Sequence, residues 1–299
     1  DEDGYQGATV LEAQTGAYYG PITALDFASL YPSIMCAHNL CYSTLVMNPK
    51  YDNLPGVEYE QYGPHRFAQS TSGACATEQR VPVPSLLPVI LTDLKAFRKK
   101  AKKLMAQHEG TPMEAIYNGQ QLAYKISMNS IYGFTGASKG MLPCVAIAST
   151  VTMRGRQMIE ETKNYVEANF PGAKVRYGDT DSVMVEFDVQ GRKGQEAIDY
   201  SWQLGEQAAE QCTKLFKAPN DLELEKVYCP YFLYSKKRYA AKMYEKKGDS
   251  VVFKKIDVKG LQVVRRDSCP FVRETLKKLL SMVLESSDPT PVIEEARVA

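Results

Sequence analysis

The sequence predicts an α+β protein: one β-sheet that carries two widely separated aspartates, with an antiparallel helical hairpin inserted between the segments that build it. Three observations lead there. Residues 22–27 (ITALDF) and 174–187 (KVRYGDTDSVMVEF) have the apolar, β-branched character of strands. Residues 84–132 hold two long helical patterns joined by a short polar link, and residues 222–260 return to strand patterns. Strands and helices in such runs, rather than in strict alternation, mark the α+β class.

The 299 residues suffice for one large domain or two smaller ones. With 44% hydrophobic and 24% charged residues the composition is that of an ordinary globular protein. No apolar run approaches the roughly eighteen residues of a membrane span. The chain starts on Asp1-Glu2-Asp3 without a methionine or signal peptide and stops mid-pattern, as expected of a portion of a longer protein. Seven scattered cysteines with no C-x-x-C pair point to a reducing, intracellular compartment and away from a zinc site or disulfide framework. His38 and Cys41 have a usable metal spacing but are too few, so core or loop positions are expected for them. The three histidines are too dispersed for histidine-based catalysis. A net charge of +1 excludes a uniformly basic wrap around nucleic acid. Local basic stretches at 95–103, 236–247 and 254–266 instead suit a groove that holds phosphates.

Taken in order, residues 4–17 read as a turn and short strand leading into the strand 22–27. Asp26 closes that strand, where a carboxylate is costly to bury and needs a partner or a metal. Residues 29–33 turn the chain, with Pro32 suited to a first helical turn; a helix within 34–46 and a strand-like CYSTLV follow. Residues 48–83 form a surface loop, with a hairpin expected to flank 70–73. The helix 84–109 has Ser85 to cap it and Leu87, Ile90, Leu91, Leu94, Phe97, Ala101 and Leu104 on one side. Gly110 ends it, and Thr111-Pro112-Met113-Glu114 is a capping box that opens a second helix over 113–132, making an αα-hairpin.

Helical spacing places the cations. Arg98 and Lys102, four apart, share a face, and Lys125, Asn129 and Tyr132 share another. Six cations within 95–103 fit a solvated face as well as a ligand site, whereas Lys125 stands in the apolar segment LAYKISMNSIYG. A Gly-rich return over 133–143 precedes a long helix, 145–170. The strands 174–177 and 182–187 flank a turn at 178–180. A polar link at 190–194, a helix over 195–217, strands at 222–228, 235–245 and 251–260, and a terminal helix at 268–286 complete the chain.

The turn of YGDTDS presses Asp179 and Asp181 together, which is unfavourable unless a cation neutralises them. Acidic turns are common, and a solvated loop tip is the ordinary explanation of any D-x-D. Asp26, at the end of a distant strand, changes the balance. Asp26 with Asp181 is what a two-metal site asks for: hard oxygen ligands for Mg²⁺ from elements remote in sequence.

DFASLYPSI (26–34), KISMNSIYG (125–133) and YGDTDS (177–182) resemble motifs A, B and C of the family B DNA-directed DNA polymerases, in the family's order. KKRY (236–239), with the later KG and VRRD, resembles the family's primer-side signature, and YQGA (5–8) its Tyr-x-Gly-Gly/Ala element. The resemblance spans nearly the whole chain and is nearest the delta type of eukaryotes and large DNA viruses, an algal virus in particular.

That resemblance implies template-directed DNA synthesis in replication, with a palm formed by 1–83 and 142–268, fingers at 84–141, and the start of a thumb at 269–299. Amino-terminal and 3′–5′ exonuclease portions would lie before residue 1. It implies two Mg²⁺ ions on Asp26, Asp181 and the Phe27 carbonyl, with Asp179 a further catalytic carboxylate. It assigns dNTP contacts to Ser29, Leu30, Tyr31, Arg98, Lys102, Lys125, Asn129 and Tyr132. Primer–template DNA falls to Lys236, Lys237, Arg238, Tyr239 and Lys259. A sliding clamp or accessory subunit, a nuclear or viral replication site and no membrane partner are the remaining expectations. A DNA-gripping scaffold without catalysis, a two-metal nuclease and an RNA-templated polymerase are the rivals. Intact carboxylates weigh against the first, and the Lys/Arg face with Tyr31 is superfluous for hydrolysis.

Overall fold

A computed structural model describes residues 4–71, 84–137 and 139–285, and these divide into two compact units. One takes Thr9–Phe27, Met158–Phe216 and the chain from Asp221 onward; the other takes the described residues up to Ala8, those from Ala28 to Gln157, and Lys217–Asn220.

The first unit is built on a seven-stranded sheet. Its strands are β1 (Gly16–Tyr18), β2 (Ile22–Phe27), β5 (Lys174–Asp179), β6 (Ser182–Glu186), β7 (Leu222–Ser235), β8 (Arg238–Lys247) and β9 (Ser250–Lys259). The order is β5-β6-β2-β7-β8-β9, with β1 also on β7, and every pairing is antiparallel. β2 is central, and all of its residues are buried except Asp26, which is partly exposed. Alternate side chains leave opposite faces of a strand. Ile22 and Ala24 accordingly join a cluster with Tyr228, Tyr231 and Tyr239. Thr23 points the other way, its Oγ1 2.7 Å from Ser201 Oγ on helix α5 (Gly194–Thr213). That helix lies so close to β2 and β7 that a Cβ on Gly205 would meet Thr23 Cγ2 at 2.6 Å. Helix α6 (Pro270–Glu285) ends the described part of this unit, and the end expected at residue 286 lies outside the described residues.

The second unit contains α1 (Leu30–Ala37), the hairpin β3 (Val57–Tyr62) and β4 (His65–Thr71), α2 (Leu86–Gln107) and α3 (Pro112–Gly136). α2 and α3 pack on each other as the expected αα-hairpin. Helix α4 (Val145–Asn169) is shared: its residues up to Gln157 belong to this unit and those from Met158 to the other. His38 and Cys41 are core residues, His38 Nδ1 lying 2.6 Å from the Tyr62 hydroxyl. Among the described residues no helix is long and apolar enough to cross a membrane.

Several expectations are corrected. The helix after the strand of Asp26 begins at Leu30 rather than 34, because Ser29 in the left-handed region (φ 54°) turns the chain at once. Residues 42–44 form a turn rather than a strand. The long loop contains a hairpin that turns at Gly63 (φ 56°), while the hairpin expected to flank 70–73 falls partly on residues 72–83, which lie outside the described residues. β7 continues to Ser235 instead of stopping at 228; its register shifts between Tyr228 and Tyr231, around Pro230, which has no N–H to donate. Neither expected cap hydroxyl caps its helix. Ser85 Oγ donates to Asn39 Oδ1 (2.8 Å) and Thr111 Oγ1 to the His108 carbonyl (2.7 Å). Glu114 does reach back, accepting from the Gly110 N–H at 2.7 Å.

Candidate active site

Asp26 and Asp181 are brought together by strand register. β2 and β6 are neighbours with Asp26 opposite Ser182, and the Phe27 N–H donates to the Asp181 carbonyl at 2.8 Å. The turn that carries Asp181 is made by Thr180 in the left-handed region (φ 55°), and the Asp181 N–H closes onto the Asp179 carbonyl at 2.6 Å. Phe27 fixes the end of β2 by burying its ring edge-on to Phe216, 5.4 Å between centroids.

The electrostatics at Asp26 favour its neutral form. Burial, then the neighbouring Asp181, push the Asp26 carboxyl up to about 7; Glu225 and Glu223 on β7 push the same way, and Lys226 opposes them. All donors at this point are hard oxygens, which suits Mg²⁺ and not a soft ion. Among the described residues no group of three or more carboxylate, imidazole or thiol ligands gathers anywhere. The carboxylates of Asp26 and Asp181 fit an ion whose remaining ligands are oxygens of the backbone, water and substrate phosphates.

The sign of the Asp26 shift gives a prediction. A carboxyl held above its unfolded value adds stability that is complete below the ordinary carboxylate range and lost as pH rises through about 7. In chelator, the melting temperature is expected to fall between about pH 5 and about pH 8 more steeply for the native chain than for Asp26→Asn. Parallel melting curves would show that the group is not strained by burial.

Asp179, the other carboxylate of the turn, has a different environment. Its oxygens lie 2.6 and 2.9 Å from Lys237 Nζ, and it accepts from the Thr180 hydroxyl (3.1 Å) and the Tyr177 hydroxyl (3.3 Å). Lys237 also donates its N–H to the Tyr177 oxygen at 2.7 Å. Tyr177 is buried, and burial pushes its phenol up to about 12. Asp179, Asp181, Ser182, Lys237 and Tyr239 line a cavity of about 300 Å³.

The KKRY segment forms the β7–β8 turn, with Ser235 opposite Arg238 and Lys237 left-handed (φ 62°). Lys236 Nζ is paired with Glu12 at 2.7 Å, and Arg238 is exposed. Tyr239 is buried against Tyr228 and Tyr231. Lys259 is exposed opposite it on β9, 3.7 Å from Asp257. Gly260 (φ 64°) lies so close beneath that a Cβ would be 2.2 Å from the Lys237 carbonyl.

In the other unit, α1 starts on Ser29 without a side-chain cap. The amino end of this helix, where Leu30 and Tyr31 lie, is the positive pole of its dipole and favours an anion. Tyr31 packs on Tyr132, ring centroids 4.4 Å apart, and the Tyr132 hydroxyl is 3.4 Å from that of Tyr5. Burial and then Tyr5 raise the Tyr132 phenol above its ordinary range. Arg98 is half-buried, donating from Nε to Gln121 Oε1 at 3.4 Å across the α2–α3 pair. Lys102 on α2, and Lys125 and Asn129 on α3, are exposed. Lys125 is exposed despite its apolar neighbours in sequence, and Leu122 and Ile126 on the same helix are exposed as well. Sequence reasoning missed Gln121 and Glu12 and gave Tyr177 and Gly260 no role beyond their motifs YGDTDS and KG, because these residues act through contacts made by folding.

Comparison with known proteins agrees with the order of motifs. The model of DNA polymerase family B matches residues 1–297. The DNA polymerase of Paramecium bursaria Chlorella virus NY2A is 48% identical over 298 residues, which are 97% of this chain and 32% of that protein. The DNA polymerase delta catalytic subunit of Caenorhabditis elegans is 45% identical over 307 residues, covering 99% of this chain and 26% of that protein. Its counterpart in Arabidopsis thaliana is 44% identical over 302 residues, at 98% and 26% coverage. The chain thus spans between about a quarter and a third of the length of these relatives.

Proposed function

We propose a function from one premise: this chain belongs to DNA polymerase family B. It carries the polymerising centre of a larger replicative polymerase, which transfers deoxynucleotides from dNTPs to a primer 3′-hydroxyl on a DNA template. The observation that supports this best is the register that sets Asp26 of β2 beside Asp181 of the β5–β6 turn. Residues 1–83 and 142–268 act as the palm, 84–141 as the fingers, and the chain from 269 as the start of the thumb.

Phosphoryl transfer asks a protein mainly for positioning and charge neutralisation. Asp26, Asp181 and the Phe27 carbonyl would hold two Mg²⁺; bound there, the ions lower the pKa of the primer hydroxyl and neutralise the triphosphate and its leaving group. The chain's own groups do the rest. The N–H groups of Ser29, Leu30 and Tyr31 hold phosphate oxygens, and Arg98, Lys102 and Lys125, supported by Asn129, clamp the β- and γ-phosphates. The Tyr31 ring occupies the space a ribose 2′-hydroxyl would need, and Tyr132 packs under the nascent base pair. Asp179 serves the same centre by holding Lys237 in place. Lys236, Lys237, Arg238 and Lys259 hold the primer–template backbone, with Tyr239 anchoring their turn. Work of this kind belongs at a nuclear or viral replication site, with a sliding clamp or accessory subunit as partner.

Phosphate contacts are salt-sensitive and independent of sequence. Neutralising Lys236 and Lys237 together is expected to weaken primer–template binding and to lower the log–log salt slope by about two. An unaltered slope would put the duplex elsewhere. The function as a whole is tested by a labelled primer on a DNA template with the full-length parent protein: Mg²⁺-dependent, template-directed growth supports it. A shortened primer would favour a nuclease, and an unchanged one a DNA-gripping scaffold.

A further inference from the structure

Gly155 lies in the body of α4, where it adopts no left-handed φ. The backbone therefore does not require glycine, and a helix interior gives up about 1 kcal/mol for having it in place of alanine. The missing Cβ is what matters at this position. An added Cβ would stand 3.2 Å from Tyr31 Cε1, 3.6 Å from Leu30 Cδ2 and 3.7 Å from Ile34 Cδ1. The Leu30 and Ile34 contacts are ordinary van der Waals distances, but the Tyr31 contact is too tight for the ring to stay where it is. On another side of that ring is Tyr132, at 4.4 Å between centroids, itself next to the Tyr5 hydroxyl. The residue after Gly155 holds this arrangement from behind: Arg156 Nη1 donates to the carbonyls of Gln6 (2.7 Å) and Gly7 (2.6 Å), the two residues following Tyr5. Tyr31 thus sits in a slot with Gly155 as one wall and Tyr132, steadied by Tyr5, as another.

We propose that Gly155 is a specificity-determining residue: by leaving room for the Tyr31 ring, it sets the position from which that ring excludes ribonucleotides. It is a positioning residue that acts through Tyr31, so the inference rests on the sugar-discriminating role of Tyr31 given above. A contact at 3.2 Å makes the ring give by a few tenths of an ångström. A steric filter for one hydroxyl loses much of its selectivity over such a distance.

The test is single-nucleotide insertion by the full-length parent polymerase, comparing a ribonucleotide with the matching deoxynucleotide for Gly155→Ala, Tyr31→Ala and the double variant. Each ratio comes from one preparation, so the fraction of folded enzyme cancels. Gly155→Ala is expected to raise the ribo-to-deoxy ratio about five- to tenfold, chiefly through a lower KM for the ribonucleotide. The double variant is expected to match Tyr31→Ala, because a removed ring has no position to set. If Tyr31→Ala raises the ratio while Gly155→Ala stays within about twofold of the parent, the role of Gly155 is lost and that of Tyr31 stands. If Tyr31→Ala changes nothing, both fall. A further rise on adding Gly155→Ala to Tyr31→Ala would also overturn the proposal, since the glycine would then act by another route. Should Gly155→Ala fail to fold, Tyr5→Phe probes the opposite wall by withdrawing the hydroxyl beside Tyr132. A rise of about two- to threefold supports the slot, and an unchanged ratio overturns it.

Discussion

Replacing Asp181 or Asp26 with alanine is expected to reduce primer extension by more than about a thousandfold while primer–template affinity stays within a few-fold of the parent. The size follows from what the carboxylates do. In the proposed function they hold ions that neutralise charge building on the transferring phosphoryl group, an effect worth several kcal/mol. The DNA, by contrast, is assigned in the proposed function to the lysines and arginine of the β7–β8 turn and to Lys259, so its binding should survive loss of either carboxylate. Two features make the pair sharp as a test. The backbone at Asp181 is tied to Phe27, the residue after Asp26, and Asp26 is held in the β2–β6 register, so alanine at either position leaves these backbone contacts in place. Asp179 is engaged by Lys237 Nζ, so Asp179→Ala should cost less than either and should disturb primer binding together with insertion. Single-turnover extension alongside a DNA-binding titration separates these outcomes. Comparable losses in binding and insertion for Asp26→Ala would contradict its metal role.

The second large effect concerns the sugar. Tyr31→Ala is expected to raise ribonucleotide insertion relative to deoxynucleotide insertion by on the order of a hundredfold, because forcing an extra group into a packed site is typically opposed by about 1–3 kcal/mol. Tyr31→Phe keeps the ring and should stay near the parent ratio. The ring is held by Tyr132 and by the absence of a side chain at Gly155, so its position depends on three segments distant in sequence. A hundredfold change for Tyr31→Phe as well would shift the filter from the ring to the hydroxyl.

Much of this was legible from the sequence because it is written in local patterns. The strand of Asp26, the acidic turn, the αα-hairpin and the three late strands each have their own periodicity and turn residues, and each is present, although β7 runs past its predicted end to Ser235. The adjacency of Asp26 and Asp181 could be anticipated as a chemical need, since neither carboxylate is comfortable alone, and the β2–β6 register satisfies it. Where reading failed, the deciding interaction was non-local. Ser85 and Thr111 have the right residue types for caps, yet instead of accepting from a first-turn N–H each hydroxyl donates to an oxygen brought to it by folding. The length of β7 could not be seen past Pro230, which reads as a stop until β8 supplies a shifted register around it. The two aspartates of DTD look equivalent in sequence. Only the return of the chain 58 residues later, bringing Lys237, makes Asp179 an ion-pair partner and leaves Asp181 beside Asp26.

The central claim is that Asp26 and Asp181 share divalent ions, and anomalous scattering tests it without reference to rate. Crystals of the parent polymerase with a dideoxy-terminated primer–template, a dNTP and Mn²⁺ in place of Mg²⁺ should show anomalous peaks within about 2.0–2.3 Å of carboxylate oxygens from both residues. Peaks held by Glu223 or Glu225 instead, or ions that touch only one of the two aspartates, would contradict the account.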